Sequence, residues 1–295
     1  MKIGTNGIVT NESGQVLLIQ RDDSRTFAPP GGSVETGELP TDNIAREVRE
    51  ETGLIVLPVR LVGVYFWPMK PEGLLSFVFR CIQRGGEIAT SDESLQVDYF
   101  WPRALPKPMI NLHRERLEHG LNHQGGPVHW ATHRIPLKLR LMSLWLGLVV
   151  YPRMNRQRKR DGKPDYVPAP QWQITAVTII RNQDNHILWL KDGDHYHLPG
   201  GGSTPMEAPW ETAVRHARQQ TQQTIQLTNL TTITVHPQKP IITMAFTAKM
   251  SGTAVSNANW FAPGSEPENS LPEHRQLVAE ANGGGETAVF RHQTM

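Results

Sequence analysis

The chain has 295 residues, 38% of them hydrophobic and 20% charged, and a formal net charge of +2. This length is typical of two domains with separate cores, and the composition excludes wholesale disorder. The single cysteine, Cys81, excludes an internal disulfide and a cysteine-built zinc site, and no secretory leader is recognised, so we expect a reduced, cytoplasmic protein.

Residues 1–125 alternate apolar runs with turn signals, a pattern typical of a mixed sheet with helices on its faces. A Pro-Gly-Gly loop leads into the first helix, and Gly53 is placed to end it as a left-handed C′ residue. The predicted elements, in chain order, are a hairpin turning at 11–14 with its second strand at 16–19, a helix at 40–52, strands near 61–65 and 74–82, and a helix near 111–120.

The first predicted helix carries the clearest chemistry. Glu47, Glu50 and Glu51 are spaced i, i+3 and i+4, so three carboxylates share one helix face. Like charges so placed repel each other, and a hard divalent cation relieves the repulsion. Oxygen ligands favour Mg²⁺ or Mn²⁺ over zinc. The spacing predicts a magnesium site, while a solvated acidic face is the alternative for these three residues by themselves.

The longer segment 32–54 resembles the signature of the Nudix hydrolase family, Gx5Ex7REUxEExGU, in which U is aliphatic. Every fixed position is met, by Gly32, Glu38, Arg46, Glu47, Val48, Glu50, Glu51, Gly53 and Leu54. The resemblance implies an α+β fold, the family's α/β/α sandwich with a mixed β-sheet between helices. It also implies Mg²⁺-dependent hydrolysis of a diphosphate bond in a nucleoside diphosphate linked to another moiety.

The resemblance further implies a role for each signature residue. The three carboxylates would bind Mg²⁺, and a backbone carbonyl near Gly31 or Gly32 would be a further ligand. Glu38 and Arg46 would form a salt bridge that orients the helix. The residues expected beside the substrate are Gly31, Gly32 and Glu38.

The general base varies within the family that the segment resembles. Either Glu47 or a carboxylate on a later loop would serve. Asp92 and Glu93 precede a predicted strand, and Glu93 is the loop candidate, with an acidic surface pair as the alternative.

The substrate is less visible in the sequence. We favour ADP-ribose or a similar nucleotide sugar, because Pro68 and Pro71 lie near the position where ADP-ribose pyrophosphatases carry a proline, although neither occupies it. A (d)NTP or the 5′ end of an RNA is the alternative. A nucleotide-sensing regulatory protein without turnover is the alternative from another class.

Residues 171–290 repeat the pattern of the first copy. Gly201, Glu207 and Arg215 match Gly32, Glu38 and Arg46, but the metal-binding positions are now filled by neutral side chains, namely His216, Gln219 and Gln220. An amide oxygen cannot offset the charge of Mg²⁺ as a carboxylate can. We therefore predict a degenerate, non-catalytic Nudix copy that packs on the first as an intramolecular pseudo-dimer.

Residues 126–170 are predicted to link the two copies. The apolar stretch 136–151, which Pro152 should stop, is too short to cross a bilayer and should be buried between the copies. The basic run 153–163 follows, so contact of 136–163 with a membrane surface or RNA is the alternative. Five histidines between 113 and 133 are expected to be solvated or at helix ends rather than metal ligands.

Overall fold

The computed structural model describes residues 1–69, 72–162, 168–250, 259–285 and 287–293. We call residues 1–132 the first half and the residues from 172 onward the second half. The elements of the first half are β1 (Lys2–Val9), β2 (Val16–Arg21), β3 (Phe27–Ala28), α1 (Pro40–Thr52), β4 (Leu54–Trp67), β5 (Leu74–Gly86), β6 (Ser94–Phe100), α2 (Asn111–Asn122) and β7 (His129–Thr132).

The first half contains two sheets. The larger has the strand order β1-β5-β4-β7, in which β1 with β5 and β4 with β7 run parallel while β4 and β5 run antiparallel. The smaller sheet has the order β3-β2-β6. Because β7 pairs with β4, the first sheet extends beyond residue 125 into the predicted linker.

Helices cover both faces of the larger sheet. On one face Gly7 permits the close approach of α1, because a Cβ there would lie 3.1 Å from Val48. On the other face Leu112 and Leu117 of α2 pack with Ile8 of β1. The predicted bounds of α1 are confirmed, and Gly53 ends the helix with a φ of 74°. This layering fits the predicted α+β class.

The second half has a similar order of elements. They are β8 (Gln173–Arg181), β9 (Ile187–Asp192), β10 (His195–His197), β11 (Gly200–Gly202), α5 (Pro209–Thr221), β12 (Ile225–Val235), β13 (Ile241–Met250), β14 (Asn259–Phe261), α6 (Pro272–Asn282) and β15 (Val289–His292). Within its sheet the path β8-β13-β12-β15 has the same sequence of parallel, antiparallel and parallel pairs as β1-β5-β4-β7.

The two halves share one hydrophobic core. Phe79 of β5 packs against Phe290 of β15 with ring centroids 5.4 Å apart, and Trp130 meets Phe246 edge-on at 5.9 Å. At the start of the chain, the backbone N–H of Trp172 donates to the carbonyl of Met1 (2.7 Å). Apolar burial of this kind is the main stabilising contribution to folding.

The segment between the halves differs from its predicted form. α3 (Leu137–Trp145), a π-helical turn (Leu146–Val150) and α4 (Tyr151–Arg160) run on as one helix through Pro152. A proline lacks the N–H for an ordinary helical bond, and a π turn widens the backbone where that bond is missing. The predicted stop at Pro152 is therefore wrong.

The predicted burial of this helix is also wrong. Leu137, Leu141, Leu144 and Leu148 are all exposed, because only the opposite side of the helix meets the body of the protein. Among the described residues, no helix is both long enough and apolar enough to span a bilayer.

Candidate active site

Two glycines bring the loop after β3 against α1. Gly31 has a φ of 149°, and a Cβ there would overlap the carbonyl of Thr5. A Cβ at Gly32 would overlap the carboxylate of Glu47. The loop backbone therefore lies directly against an acidic side chain of α1, and larger residues cannot replace either glycine without displacing it.

Two carboxylates of α1, the buried Glu51 and the half-buried Glu47, lie beside this loop. The Oε2 atom of Glu51 accepts the backbone N–H of Gly31 at 2.7 Å, and burial raises the pKa of Glu51 to about 8 despite that bond. Burial also raises the pKa of Glu47 to about 7, against the opposing charge of Arg46. Burial thus disfavours the charged form of both carboxylates, and a bound cation would favour it.

Arg46 holds three carboxylates at once. It donates to both oxygens of Glu38 (2.9 and 3.1 Å), and its Nη1 lies 3.1 Å from Glu47 and 3.0 Å from Glu50. Burial alone would raise the pKa of Glu38, but the hydrogen bonds from Arg46, the Glu35 backbone and Asn43 hold it below its usual value. The salt bridge implied for Glu38 and Arg46 is therefore formed.

A polar network fixes this bridge to the sheet. Asn43 donates to Glu38 (2.9 Å) and to the carbonyl of Ser33 (2.8 Å), and its own oxygen accepts the hydroxyl of Thr5. Asn43 is fully buried, so its amide is satisfied on both sides. The network orients the loop, α1 and β1 with respect to one another.

The loop carrying Glu93 reaches the same site. Ser94 donates to the carbonyl of Glu51 (2.7 Å), and the backbone N–H of Asp22 donates to the carbonyl of Glu93 (3.1 Å). The charge of Glu93 contributes to the raised pKa values of Glu47 and Glu51. The loop candidate for a general base is thus close enough for its charge to act on Glu47 and Glu51.

The three carboxylates do not converge on one point. Glu50 turns to Arg46 and is largely exposed, while Glu51 turns to the Gly31 N–H. Across the described ranges, no group of three Asp, Glu, His or Cys side chains is arranged to hold a metal ion. The donor set nevertheless fits a hard cation, because the two carboxylates with raised pKa values are oxygen ligands. The Gly32 carbonyl, the further ligand expected from the sequence, accepts the Thr5 N–H (2.9 Å).

Sequence reasoning missed a pair at the edge of the site. Arg21, at the end of β2, makes a two-pronged salt bridge with Asp23 (2.8 and 2.9 Å), and its charge opposes the raised pKa of Glu51. The hydroxyl of Tyr151 in α4 also donates to Asp23 (3.4 Å). No pattern in the sequence singles out these residues, because strand pairing and tertiary packing bring them to the site.

The histidine-rich region forms a stack on the α2 side of the sheet. The Tyr65 hydroxyl bonds to Nδ1 of His119 (2.9 Å), and the ring of His133 stacks on Tyr65 at 5.1 Å. His133 is buried, so the expectation of solvated or helix-terminal histidines is wrong there. Burial and nearby Arg116 lower its pKa to about 4.

In the second half, side chains of α5 hydrogen-bond to residues 200–202, which correspond to the Gly31-Gly32 loop. The Gln220 amide accepts the N–H of Gly200 (2.9 Å) and donates to its carbonyl (3.0 Å), and Nε2 of His216 bonds to the Gly202 carbonyl (3.0 Å). Arg215 donates to Glu207 (2.7 Å), which lowers the pKa of Glu207 to about 2.

Comparisons with known proteins identify the family of the first half. The NUDIX domain model matches residues 2–119. The chain is 38% identical to a MutT-like protein of Streptomyces ambofaciens over 136 residues, which are 45% of this chain and 87% of that protein.

Two further relatives have names that state a substrate. An ADP-ribose pyrophosphatase of Methanocaldococcus jannaschii is 37% identical over 110 residues, or 36% of this chain and 64% of that enzyme. An 8-oxo-dGTP diphosphatase of Haemophilus influenzae is 38% identical over 77 residues, or 25% of this chain and 56% of that enzyme. The chain spans less than two thirds of either enzyme.

Proposed function

Because this chain belongs to the Nudix family and is a Nudix hydrolase acting on pyrophosphate bonds, we propose that its first half cleaves, with Mg²⁺, the diphosphate of a nucleoside diphosphate linked to another moiety. The observation that carries this proposal is the pair Glu47 and Glu51 facing the Gly31-Gly32 loop, with Arg46 and Glu38 behind them. Mn²⁺ is an alternative cation.

Glu47, Glu51 and the Gly32 carbonyl would hold the cation, with Glu50 as a further ligand once released from Arg46. Bound there, Mg²⁺ would neutralise charge on the diphosphate and lower the pKa of a bound water. The protein's own part is to position these ligands: Arg46 holds Glu47 and Glu50, and Gly31 holds Glu51.

The experiment compares Glu47→Gln and Glu51→Gln with the unchanged chain in Mg²⁺ and in chelator. We expect each substitution and the chelator to lower kcat by about 10²–10³-fold or more, since each removes a charge that stabilises the transition state. His216→Ala in the second half is the matched control and should leave kcat unchanged. Normal turnover by both carboxylate variants would exclude the assignment.

Glu47 and Glu93 remain the two choices for the general base. Glu93→Gln should lower kcat by about 10²–10⁴-fold if Glu93 removes the proton from water. Unchanged kcat in Glu93→Gln would assign the role to Glu47.

ADP-ribose or a similar nucleotide sugar is the favoured substrate, and the similarity to an ADP-ribose pyrophosphatase supports it. Hydrolysis of a (d)NTP is the second candidate, supported by the similarity to an 8-oxo-dGTP diphosphatase. The 5′ end of an RNA is the third candidate substrate. A panel of ADP-ribose, UDP-sugars, dGTP, 8-oxo-dGTP and triphosphate-ended RNA, ranked by kcat/KM, decides among them; turnover of none would favour a nucleotide-sensing protein.

We assign the second half, about residues 171–290, to a degenerate copy of the first, about residues 1–125. Three features support a tandem duplication. The halves share a strand order, the second half retains the bridge between Glu207 and Arg215, and α1 and α5 each have 13 residues. Because Gln220 and His216 bond to the loop without a charged bridge, this half needs no cation to hold its loop, in keeping with a non-catalytic, intramolecular pseudo-dimer partner.

A further inference from the structure

A cavity of about 530 Å³ lies between the sheet of the second half and α6, and none of its lining residues belongs to the acidic site. Such a volume falls within the range of small-molecule sites. Four of its lining residues form a row across four neighbouring strands, because the strand registers align Thr175, Thr243, Thr234 and Arg291. We call it the α6 cavity.

The corresponding row in the first half is filled. The registers there align Gly4, Ser76, Tyr65 and Ala131, so Tyr65 stands where the second half has Thr234. The Tyr65 ring is fully buried between planar groups: the His133 ring stacks on it, and the Arg116 guanidinium lies 5.2 Å from its centre.

The second half lacks these fillers. Matching His113-Arg114 of α2 with His274-Arg275 of α6 places Leu277 where the first half has Arg116. Threonine for tyrosine and leucine for arginine remove two planar groups from this half, while Arg291 stands where the first half has Ala131. The α6 cavity therefore lies where the first half carries the Tyr65 ring and the Arg116 guanidinium.

A buried hydroxyl in this cavity is unsatisfied. Thr234 is only 7% exposed, and its Oγ1 has no hydrogen-bond partner within the described part of the chain. An unpaired buried hydroxyl is destabilising, and a ligand that bonds to it removes the penalty. The Oγ1 atom has almost no accessible surface, so a polar ligand would reach it once the Thr234 side chain turns toward the cavity that it lines.

The charged groups around the cavity are one arginine and two carboxylates. Arg291 lies 2.9 Å from Glu280, and Glu273 adds a second carboxylate to the rim, so the described lining residues include no unpaired cation to attract a phosphate. His274 accepts the Leu198 N–H through Nδ1 (2.9 Å), and burial lowers its pKa to about 4. As a neutral ring it carries its proton on Nε2, a donor for an uncharged ligand.

We propose that the α6 cavity binds an uncharged planar heterocycle, a nucleobase or a nucleoside, with its polar edge on the row of Thr175, Thr243 and Thr234. The ligand takes the space that the Tyr65 ring and the Arg116 guanidinium occupy in the first half. The second half is then a ligand-binding module as well as a structural partner.

Calorimetric titration of the full chain in chelator with adenosine, guanosine, cytidine and uridine tests this, because nucleosides carry no diphosphate to hydrolyse. At least one should bind with one site per chain, while ribose alone should not. Thr234→Tyr restores the filler and should weaken binding at least tenfold. Gln226→Tyr, at an exposed position of the same strand, is the matched control and should bind normally.

Thr234→Val keeps the shape of the side chain and removes only the hydroxyl, so it should weaken nucleoside binding about tenfold. If Thr234→Tyr does not fold, this variant tests the site in its place. No binding of any nucleoside, binding that both Thr234 variants retain, or equal binding of ribose would overturn the proposal.

A second, independent feature is the exposed face of the helix from Leu137 to Arg160. Leu137, Leu141, Leu144 and Leu148 recur every three or four residues and are 58–76% exposed, and Trp145 beside them is 52% exposed. This apolar stripe is contiguous, and monomeric proteins rarely leave such a patch in water. Leu139 packs onto the first half, so the helix is held with the stripe outward.

The charge of this helix is all of one sign. Residues 137–160 hold seven Lys and Arg and no Asp or Glu, with Lys138 and Arg140 at one end and Arg153, Arg156 and Arg160 exposed at the other. A stripe of leucine and tryptophan with cations around it is typical of a helix lying in the plane of an anionic lipid surface.

We further propose that this helix docks the protein on anionic membranes. Co-sedimentation with phosphatidylcholine vesicles and with mixed phosphatidylcholine–phosphatidylglycerol vesicles should show binding at least tenfold stronger to the mixed ones, weakening with salt. Leu141→Glu with Leu148→Glu should abolish it. Leu57→Glu with Val59→Glu, an exposed pair on β4, is the control and should bind normally.

Three results would overturn this assignment. Equal binding by both double variants would remove the stripe from the interaction. Binding of polyuridylate without binding of any vesicle would make the helix an RNA site. A dimer that the Leu141 and Leu148 substitutions convert to a monomer would make the stripe an interface between copies of this chain.

Discussion

Arg46 and Arg215 make the same contact to a glutamate in the two halves, but only Arg46 also touches the acidic site. Lysine keeps the charge and loses the two-pronged geometry. We expect Arg46→Lys and Arg215→Lys each to lower the free energy of unfolding by about 1–2 kcal/mol. Only Arg46→Lys should lower kcat, by about tenfold, because it also misplaces Glu47 and Glu50.

Urea denaturation and turnover of the best substrate of the panel measure the two effects separately. An equal fall of kcat in both variants would mean that Arg46 supports only the fold.

His133 makes stability depend on pH. Its pKa is lowered in the folded protein, so the unfolded chain binds the proton more tightly, and its stabilising contribution is complete above pH 6.5 and lost as pH falls toward 4. We expect about 1–2 kcal/mol to be lost between pH 6.5 and 5. His133→Phe keeps a ring on Tyr65, so it should flatten the pH dependence of the free energy of unfolding, measured by urea denaturation, between pH 6.5 and 5. The same change at exposed His292 should not. An unchanged slope in His133→Phe would exclude His133 as the titrating group.

At the scale of elements, α1 and α5 end in the same way with different residues. Both close on a left-handed residue, Gly53 at φ 74° and Gln222 at φ 56°. A side chain in this conformation costs about 1 kcal/mol, which glycine avoids. Gln222→Gly should therefore raise the free energy of unfolding by roughly 0.5–1 kcal/mol.

Gly53→Ala is the opposite test, and it should destabilise by more than that, because its Cβ would also overlap the carbonyl of Glu87. Thermal denaturation at one fixed pH gives both differences. A destabilised Gln222→Gly would show that the Gln222 side chain contributes more than the strain it carries.

Local signals explain what could be predicted from the sequence. Pro40 and Gly53 mark the ends of α1 by backbone chemistry alone, and the spacing of Glu47 and Glu51 places both on one helix face. The turn of Glu50 toward Arg46, and the arrival of Arg21 and Ser94 at the site, depend on tertiary packing. The burial predicted for the apolar stretch of this helix fails for the same reason. Apolar composition favours burial, but it does not specify which neighbour would cover the helix.

At the scale of the molecule, the two halves are coupled through their common core. The larger sheet of the first half carries Phe79 and Trp130 into contacts with Phe290 and Phe246 of the second. In the full chain, Phe290→Ala should lower the free energy of unfolding by about 3 kcal/mol. It should do so in a single transition, because loss of a shared core weakens both halves together.

Residues 1–135 expressed alone retain β7 and every residue of the acidic site except Tyr151 at its edge, but leave Phe79 and Trp130 uncovered. We expect this fragment to unfold at least 10 °C below the full chain and to bind an apolar dye, since a difference of a few kcal/mol shifts the midpoint by several degrees per kcal/mol. Calorimetry, dye fluorescence and kcat measured on the same preparation decide the point. A fragment as stable and active as the full chain would refute the pseudo-dimer, because the acidic site would then be complete without its partner.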